Sequence, residues 1–205
     1  MELILVRHGP TEWNALDRFQ GRSDIPLSDE GRAVAAAIAA ALRDEEIDRI
    51  YSSDLIRASE TARIIADARE MCIVTEPRLC EFDFGRWEGL TWEEIVATDP
   101  ASRRRAPTAA NLYAPKGGET FAQVRRRVES FLDDLPIEDR DARILIVTHA
   151  GPLHAFLSVL GLTQAGEAAA QLDRFSRGSI TRITIGGDGV QLIGLNELNH
   201  LDAAR

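Results

Sequence analysis

Two uninterrupted apolar runs, Leu3-Ile4-Leu5-Val6 and Ile144-Leu145-Ile146-Val147, constrain this chain more than any other feature. A strand with one wet face alternates apolar and polar side chains. A run without alternation reads as a strand covered on both faces, as in the interior of a parallel α/β sheet. Each run stops abruptly at polar residues: Arg7-His8-Gly9 after the first, Thr148-His149-Ala150-Gly151-Pro152 after the second. The C-terminal ends of such strands are where open α/β sheets assemble their sites. If the two strands are neighbours, both imidazoles reach one rim. Arg7 beside His8 crowds two potential cations onto one strand end, an arrangement that makes sense when an anion binds between them.

The rest of the chain alternates helix and strand patterns. Leu27-Ser28-Asp29-Glu30 opens a helix. Ser28 suits the N-cap, the acids suit the dipole, and Val34, Ile38 and Leu42 recur at helical spacing to about Arg43. A short strand is predicted at Arg49-Ile50-Tyr51. Ser52-Ser53-Asp54 reads as the cap of a second helix through Ala68, with Leu55, Ala58, Ala62, Ile65 and Ala66 on one face. Ile73-Val74 reads as a third strand. A longer helix from about Glu119 to Leu135 carries the stripe Phe121, Val124, Val128, Phe131, Leu132 and Leu135. Pro152 falls in the first turn of another helix, where proline is tolerated. Thr181 to Ile185 and Val190 to Ile193 flank Gly186-Gly187-Asp188-Gly189, a hairpin signature. Residues 77–118 break the pattern, apart from a short helix from Thr91 to Ala97. Their aromatics Phe82, Phe84, Trp87 and Trp92 argue for order, and an ordered irregular stretch of that length is usually functional. The prediction is an α/β three-layer sandwich: a mostly parallel central sheet with helices on both faces, one domain over 1–205, and 77–118 as a rim over the cleft.

Composition removes several classes of function. The formal net charge of −9, from 24 basic and 33 acidic side chains, disfavours nucleic acid and anionic membrane surfaces as partners. A local cluster of arginines can still invert the field inside one cleft, so a small anionic ligand is compatible. No apolar run approaches membrane-spanning length, and the N-terminus enters a strand directly rather than through a signal peptide. The two cysteines, Cys72 and Cys80, have no metal-ligand spacing, read as semi-buried thiols and fit a reducing cytoplasm. Four histidines with no paired spacing near His8 disfavour a zinc site.

Leu5-Val6-Arg7-His8-Gly9-Pro10-Thr11-Glu12-Trp13-Asn14 closely resembles the signature of the histidine phosphatase superfamily, the phosphoglycerate mutase-like fold. Further segments match in family order: Phe19-Gln20-Gly21 through Leu27-Ser28 to Gly31, Ser52-Ser53-Asp54-Leu55-Ile56-Arg57-Ala58, Glu81 to Gly89, Gly117-Gly118-Glu119-Thr120 and Val147 to Leu153. The resemblance implies a phosphohistidine mechanism that uses no cofactor and no metal. In it His8 is the nucleophile, and Arg7, Arg57 and His149 bind phosphate oxygens. Asn14 donates a further hydrogen bond and Glu81 serves as proton donor and acceptor. Gln20, Gly21 and Ala150 complete the phosphate- and substrate-binding set. Pro10 stands where the family often has an acidic residue, and His154 where it often has arginine, which favours a structural role for His154.

The residues after Glu81 bear on which phosphoryl chemistry follows. Mutases of this family resemble one another in a longer, more basic insertion there. Phe84-Gly85-Arg86-Trp87-Glu88-Gly89-Leu90-Thr91-Trp92 is short and aromatic, similar to the phosphatase branch that includes α-ribazole phosphatases and broad-specificity phosphatases. The reading is therefore a phosphomonoester hydrolase acting on a small organic phosphate, such as α-ribazole 5′-phosphate or a sugar phosphate. A cofactor-dependent phosphoglycerate mutase and a non-enzymatic phosphate binder are the alternatives. Asn111, Tyr113 and Lys116 are rim positions suited to reading the substrate. His200 near the C-terminus reads as exposed, the arginine runs 103–105 and 125–127 as solvated faces, and a homodimer as compatible with the family.

Overall fold

The structure is a computed structural model and describes residues 1–99, 102, 116–135, 141–163 and 175–202. Its strands are β1 (Glu2–Arg7), β2 (Arg49–Ser52), β3 (Ile73–Thr75), β4 (Arg143–Thr148), β5 (Ile180–Gly186) and β6 (Gly189–Glu197). Its helices are α1 (Glu12–Ala15), α2 (Asp29–Ala41), α3 (Ile56–Asp67), α4 (Trp92–Thr98), α5 (Phe121–Asp133), α6 (Ala150–Val159) and α7 (Asn199–Asp202). Short 3₁₀ turns occupy Pro77–Leu79 and Gly85–Trp87.

The strands form one sheet in the order β3-β2-β4-β1-β5-β6. The pairs β3–β2, β2–β4 and β4–β1 are parallel, while β5 and β6 join antiparallel at the other side. The two apolar runs are thus immediate neighbours, in register from Glu2 opposite Arg143 to Arg7 opposite Thr148. Their absence of alternation has the expected cause. Leu3, Leu5, Ile144 and Ile146 pack with Val124, Val128 and Phe131 of α5 and with Leu153 and Phe156 of α6. Ile4, Val6, Leu145 and Val147 pack on the other face with Ile38 of α2 and Ala58, Ala62 and Ile65 of α3. Burying each such aliphatic side chain contributes about 1.5–3 kcal/mol, which sets the strand positions firmly. This is the three-layer sandwich that the pattern predicts. Among the described residues no helix is long and apolar enough to cross a membrane.

Local signals hold where the partner is close in sequence. Ser28 caps α2 by accepting from Gly31 N, and Thr91 and Thr120 form capping boxes with Glu94 and Gln123. The second helix departs from expectation. It starts at Ile56, with Leu55 at the N-cap, and not under Ser52-Ser53-Asp54. Its first free N–H groups are met from afar, since Ile56 N donates to Asp24 Oδ1 at 2.6 Å. Ser53 Oγ accepts from the N–H of the N-cap residue Leu55 at 3.2 Å. The cysteines also differ from the even pair expected: Cys72 is exposed and Cys80 buried.

Candidate active site

His8 and His149 sit just beyond the C-terminal ends of β1 and β4. Backbone pairing continues past the strands, with His8 N donating to Thr148 O at 3.0 Å, so the rings are carried side by side with centroids 4.9 Å apart. The His8 ring is buried, and Nδ1 lies 2.7 Å from Gly9 O. A carbonyl only accepts, so Nδ1 carries the proton and Nε2 keeps its lone pair. That lone pair faces Arg57, whose Nε donates to it at 3.3 Å. Burial first, then the charges of Arg57 and Arg7, hold the His8 ring well below the ordinary histidine range, against the weaker opposing effect of the Gly9 bond. His149 is likewise held low by burial, then by Arg57, His8 and Arg7. Both rings are neutral near pH 7. His149 Nε2 meets Ser53 Oγ at 2.8 Å, the same oxygen that accepts from Leu55 N.

Arg57 is 1 % exposed and has no carboxylate at bonding distance among the described residues. Its Nη1 donates to Ser23 O at 2.9 Å and its Nη2 to Gly21 O at 2.6 Å. Carbonyls orient a guanidinium without cancelling its charge. Burial lowers its proton affinity somewhat, while the nearby carboxylates of Glu81, Asp24 and Glu88 oppose this. Arg7 is oriented in the same manner by Phe175 O. The loop that supplies Gly21 and Ser23 is fixed by Glu88. Its carboxylate accepts from Arg22 N, Ser23 N and Ser23 Oγ and from Phe84 N. Gly21 has φ +55, and a Cβ there would collide with the Glu88 carboxylate. Glu88 is therefore a tie between two loops.

Glu81 Oε1 accepts from Gly151 N at 3.1 Å and Phe82 N at 2.8 Å. The first of these donors is an N–H in the opening turn of α6 that has no partner within the helix. Gly151 cannot carry a side chain, because a Cβ would collide with Glu81 and Phe82. The backbone around Glu81 is anchored from two sides. Thr148 Oγ1 donates to Leu79 O at 2.6 Å, and Arg127 donates to Arg78 O at 2.6 Å and Glu81 O at 3.0 Å. Arg127 also pairs with Glu119 at 3.2 Å, and Arg22 pairs with the same carboxylate at 3.0 Å. Burial pushes the Glu119 carboxyl up, but the two arginines outweigh it and hold it below the usual range. Arg127 is thus no solvated face, contrary to the reading of its run; it anchors the Glu81 segment.

The remaining expected residues divide. Asn14 Oδ1 accepts from Thr11 N at 3.0 Å and Thr11 Oγ1 at 3.1 Å, which fixes its amide and leaves Nδ2 as the donor. Gln20 is buried, and its Oε1 has no hydrogen-bond partner among the described residues. Ala150 is buried at the start of α6. His154 is buried edge-on to Phe175 at 4.8 Å, a packing role. His200 is half-buried, not exposed, and meets Gly178 O at 2.9 Å. Phe19 packs against Phe84, Trp87 and Trp92, so the aromatic stretch after Glu81 is a packed wall. Lys116 is exposed, whereas Asn111, Tyr113 and the run 103–105 lie outside the described residues. Among the described residues no three histidine, cysteine, aspartate or glutamate side chains cluster as metal ligands would.

The histidine phosphatase superfamily (branch 1) family model matches residues 3–198. The chain belongs to that superfamily. It is an enzyme of the phosphatase family, and its relatives specify what some members do. It is 36% identical over 163 residues to phosphoserine phosphatase 1 of Hydrogenobacter thermophilus, covering 79% of this chain and 77% of the relative. It is 38% identical over 178 residues to the metal-independent phosphoserine phosphatase of Arabidopsis thaliana, covering 84% and 73%. It is also 35% identical over 173 residues to the "Probable phosphoglycerate mutase GpmB" of Yersinia pestis, covering 84% and 80%. Among solved structures, a mycobacterial glucosyl-3-phosphoglycerate phosphatase complexed with VO3 superposes with a TM-score of 0.87 at 29% identity, over 96% of this chain and 99% of that one.

Proposed function

We propose that this enzyme hydrolyses small organic phosphomonoesters in two displacements through a phosphohistidine at His8. The observation that carries the reading is the His8 Nε2 lone pair, its tautomer set by Gly9 O, held 3.3 Å from the Nε of a guanidinium that carbonyls orient. A neutral imidazole next to fixed cations is a nucleophile for a bound dianion. In the first displacement Nε2 attacks phosphorus, the ester P–O bond breaks, and the departing alkoxide takes a proton from Glu81. In the second, water gives a proton to the Glu81 carboxylate and attacks phosphorus, the N–P bond breaks, and inorganic phosphate leaves. Arg7, Arg57 and His149 hold the equatorial oxygens, where the transition state spreads its charge, and Asn14 Nδ2 adds a donor. Ala150 and Gly21 line the phosphate through backbone. The buried Gln20 oxygen is assigned to a donor on the organic part. Positioned side chains supply the neutralisation, so the scheme requires no metal.

The Yersinia relative keeps one rival in view, transfer to a second hydroxyl instead of to water. The short, packed aromatic wall from Phe84 to Trp92 favours hydrolysis, because a mutase must also hold a second phosphate. Phosphate release from a panel of monoesters, with and without EDTA, tests the proposal. Release that survives chelation, a phosphorylated protein trapped by alkaline quench, and loss of both in His8→Ala are expected. Glu81→Gln should lower kcat by about 10²–10⁴-fold. Activity that EDTA abolishes and a divalent metal restores would overturn the scheme. Conversion of 3-phosphoglycerate to 2-phosphoglycerate in the presence of 2,3-bisphosphoglycerate, without comparable phosphate release, would give the reaction to the mutase.

A further inference from the structure

Arg177 lies in the turn between Phe175 and β5, and nothing in its sequence neighbourhood marks it out. The turn is built onto the pocket. Gly178 N donates to the carbonyl oxygens of Arg7 at 3.1 Å and His8 at 3.2 Å, and Arg7 N donates to Ser179 O at 3.1 Å. From behind, His200 Nε2 meets Gly178 O at 2.9 Å. Gly178 has φ +76, and a Cβ would collide with Val34 of α2, so the turn has little room to move. Arg177 is consequently fixed one residue from the backbone contacts of the nucleophile, with its side chain exposed.

Like Arg43 and Arg86 it is exposed and forms no ion pair with a described residue, but it differs from them in its place on the turn bonded to Arg7 and His8. Arg18 pairs with Glu94 and Arg22 with Glu119, whereas Arg177 makes no ion pair with any described residue. Its charge reaches His8, adding to burial and to the larger effects of Arg57 and Arg7. Arg7 and Arg57 already match the two charges of a phosphate dianion. A third cation on the turn bonded to Arg7 and His8 is surplus to the phosphate, and its exposed side chain is available to a group on the organic part. One guanidinium, planar and forked, matches a carboxylate in charge and shape, while a second phosphate dianion would call for more than one cation. We propose that Arg177 is a specificity residue that binds a carboxylate on the organic part of the substrate. The inference rests on the phosphomonoesterase reading of the same cleft.

Two ester pairs that differ at the carboxylate test it: O-phosphoserine against O-phosphoethanolamine, and 3-phosphoglycerate against glycerol 3-phosphate. The readout is the ratio of kcat/KM within each pair. Arg177→Gln should lower the ratio by about tenfold or more for at least one pair, mainly through KM, as expected for loss of a charge-assisted bond. Arg177→Lys should recover part of it. A ratio unchanged in both pairs, whatever happens to the individual rates, would overturn the inference and leave the phosphatase reading standing. If the wild-type enzyme hydrolyses none of the four, the phosphatase reading is judged on the wider monoester panel and the kinetic ratios do not apply. Calorimetric binding of the same esters to His8→Ala then decides the inference: a carboxylate preference that Arg177→Gln removes supports it, and no such preference refutes it.

Discussion

Arg57 and Arg182 lie at opposite ends of one sheet, and the contrast separates a cation held by carbonyls from one clamped by carboxylates. Arg182 on β5 is clamped by Glu45 at 2.6 Å, Glu197 at 3.1 Å and Glu2 at 3.6 Å, near the start of the parallel strands. Those carboxylates cancel its charge and raise its proton affinity, the bond to Glu45 most of all. Arg57, near the strands' C-terminal ends, is more deeply buried and is met by two carbonyls and an imidazole. Carbonyl dipoles fix a guanidinium in place while its net charge stays available to a ligand. The clamp around Arg182 closes strands and a helix end together. The cradle around Arg57 leaves its charge without a bonded carboxylate among the described residues, opposed only from farther off by Glu81, Asp24 and Glu88.

The sharpest way to break this contrast is to keep the charge at position 57 and remove its geometry. Arg57→Lys retains a cation but cannot donate to Gly21 O, Ser23 O and His8 Nε2 together, because an ammonium lacks the fork. It should lower kcat/KM by about 10³-fold, in the range found when a positioned transition-state donor is lost. Equal activity in the lysine variant would mean that charge alone suffices and that the carbonyl cradle is incidental.

Much of this was legible in the chain, and the boundary falls at sequence distance. The apolar runs report their own burial, so the neighbouring strands and the two histidines at their ends follow from local pattern and α/β topology. The Ser28 cap of α2 was equally local. The missed features are side chains that act on distant backbone. Asp24 meets the first N–H of α3, Glu88 ties residues 22 and 23 to residue 84, and Arg127 anchors the carbonyl of Glu81. Periodicity cannot show that the third arginine of a run turns inward, nor that a turn before β5 is bonded to the carbonyl of His8. A family motif locates the reacting groups but not the residues that hold them.

A smaller effect sharpens the contrast through the histidines. His8 and His149 are kept unprotonated in the folded protein by burial and by the charges of Arg57 and Arg7, whereas in the unfolded chain each titrates near 6.5. The unfolded state therefore binds more protons below that pH. Stability is full above about 6.5 and is lost as pH falls from there toward the depressed folded values. The loss approaches about 1.4 kcal/mol per pH unit for each histidine within that window. Urea unfolding of the ligand-free protein at pH 7.5, 6.5 and 5.5 measures it, and the double variant His8→Asn/His149→Asn should show a flatter slope. An unchanged slope would place the acid sensitivity in the carboxylates instead.

The smallest effect is expected at the clamp, and its sign matters more than its size. Arg182→Met keeps the aliphatic stem and removes the charge, leaving Glu45, Glu197 and Glu2 facing one another. Because the network is partly solvated, the loss should be only about 1 kcal/mol, or about 2–4 °C in Tm, and it should shrink as salt screens the carboxylates. The kinetic prediction is the discriminating one: kcat and KM should stay within about twofold of wild type, since transition-state charge is stabilised by preorganised groups at the strands' other end. The two arginines then show opposite profiles, a large kinetic loss when Arg57 keeps its charge but loses its fork, and a modest, salt-dependent thermal loss when Arg182 loses its charge. A kinetic defect in Arg182→Met comparable to that of Arg57→Lys would mean that the two ends of the sheet are coupled, and that the cradle's free charge is set by the network as a whole and not by which groups touch it.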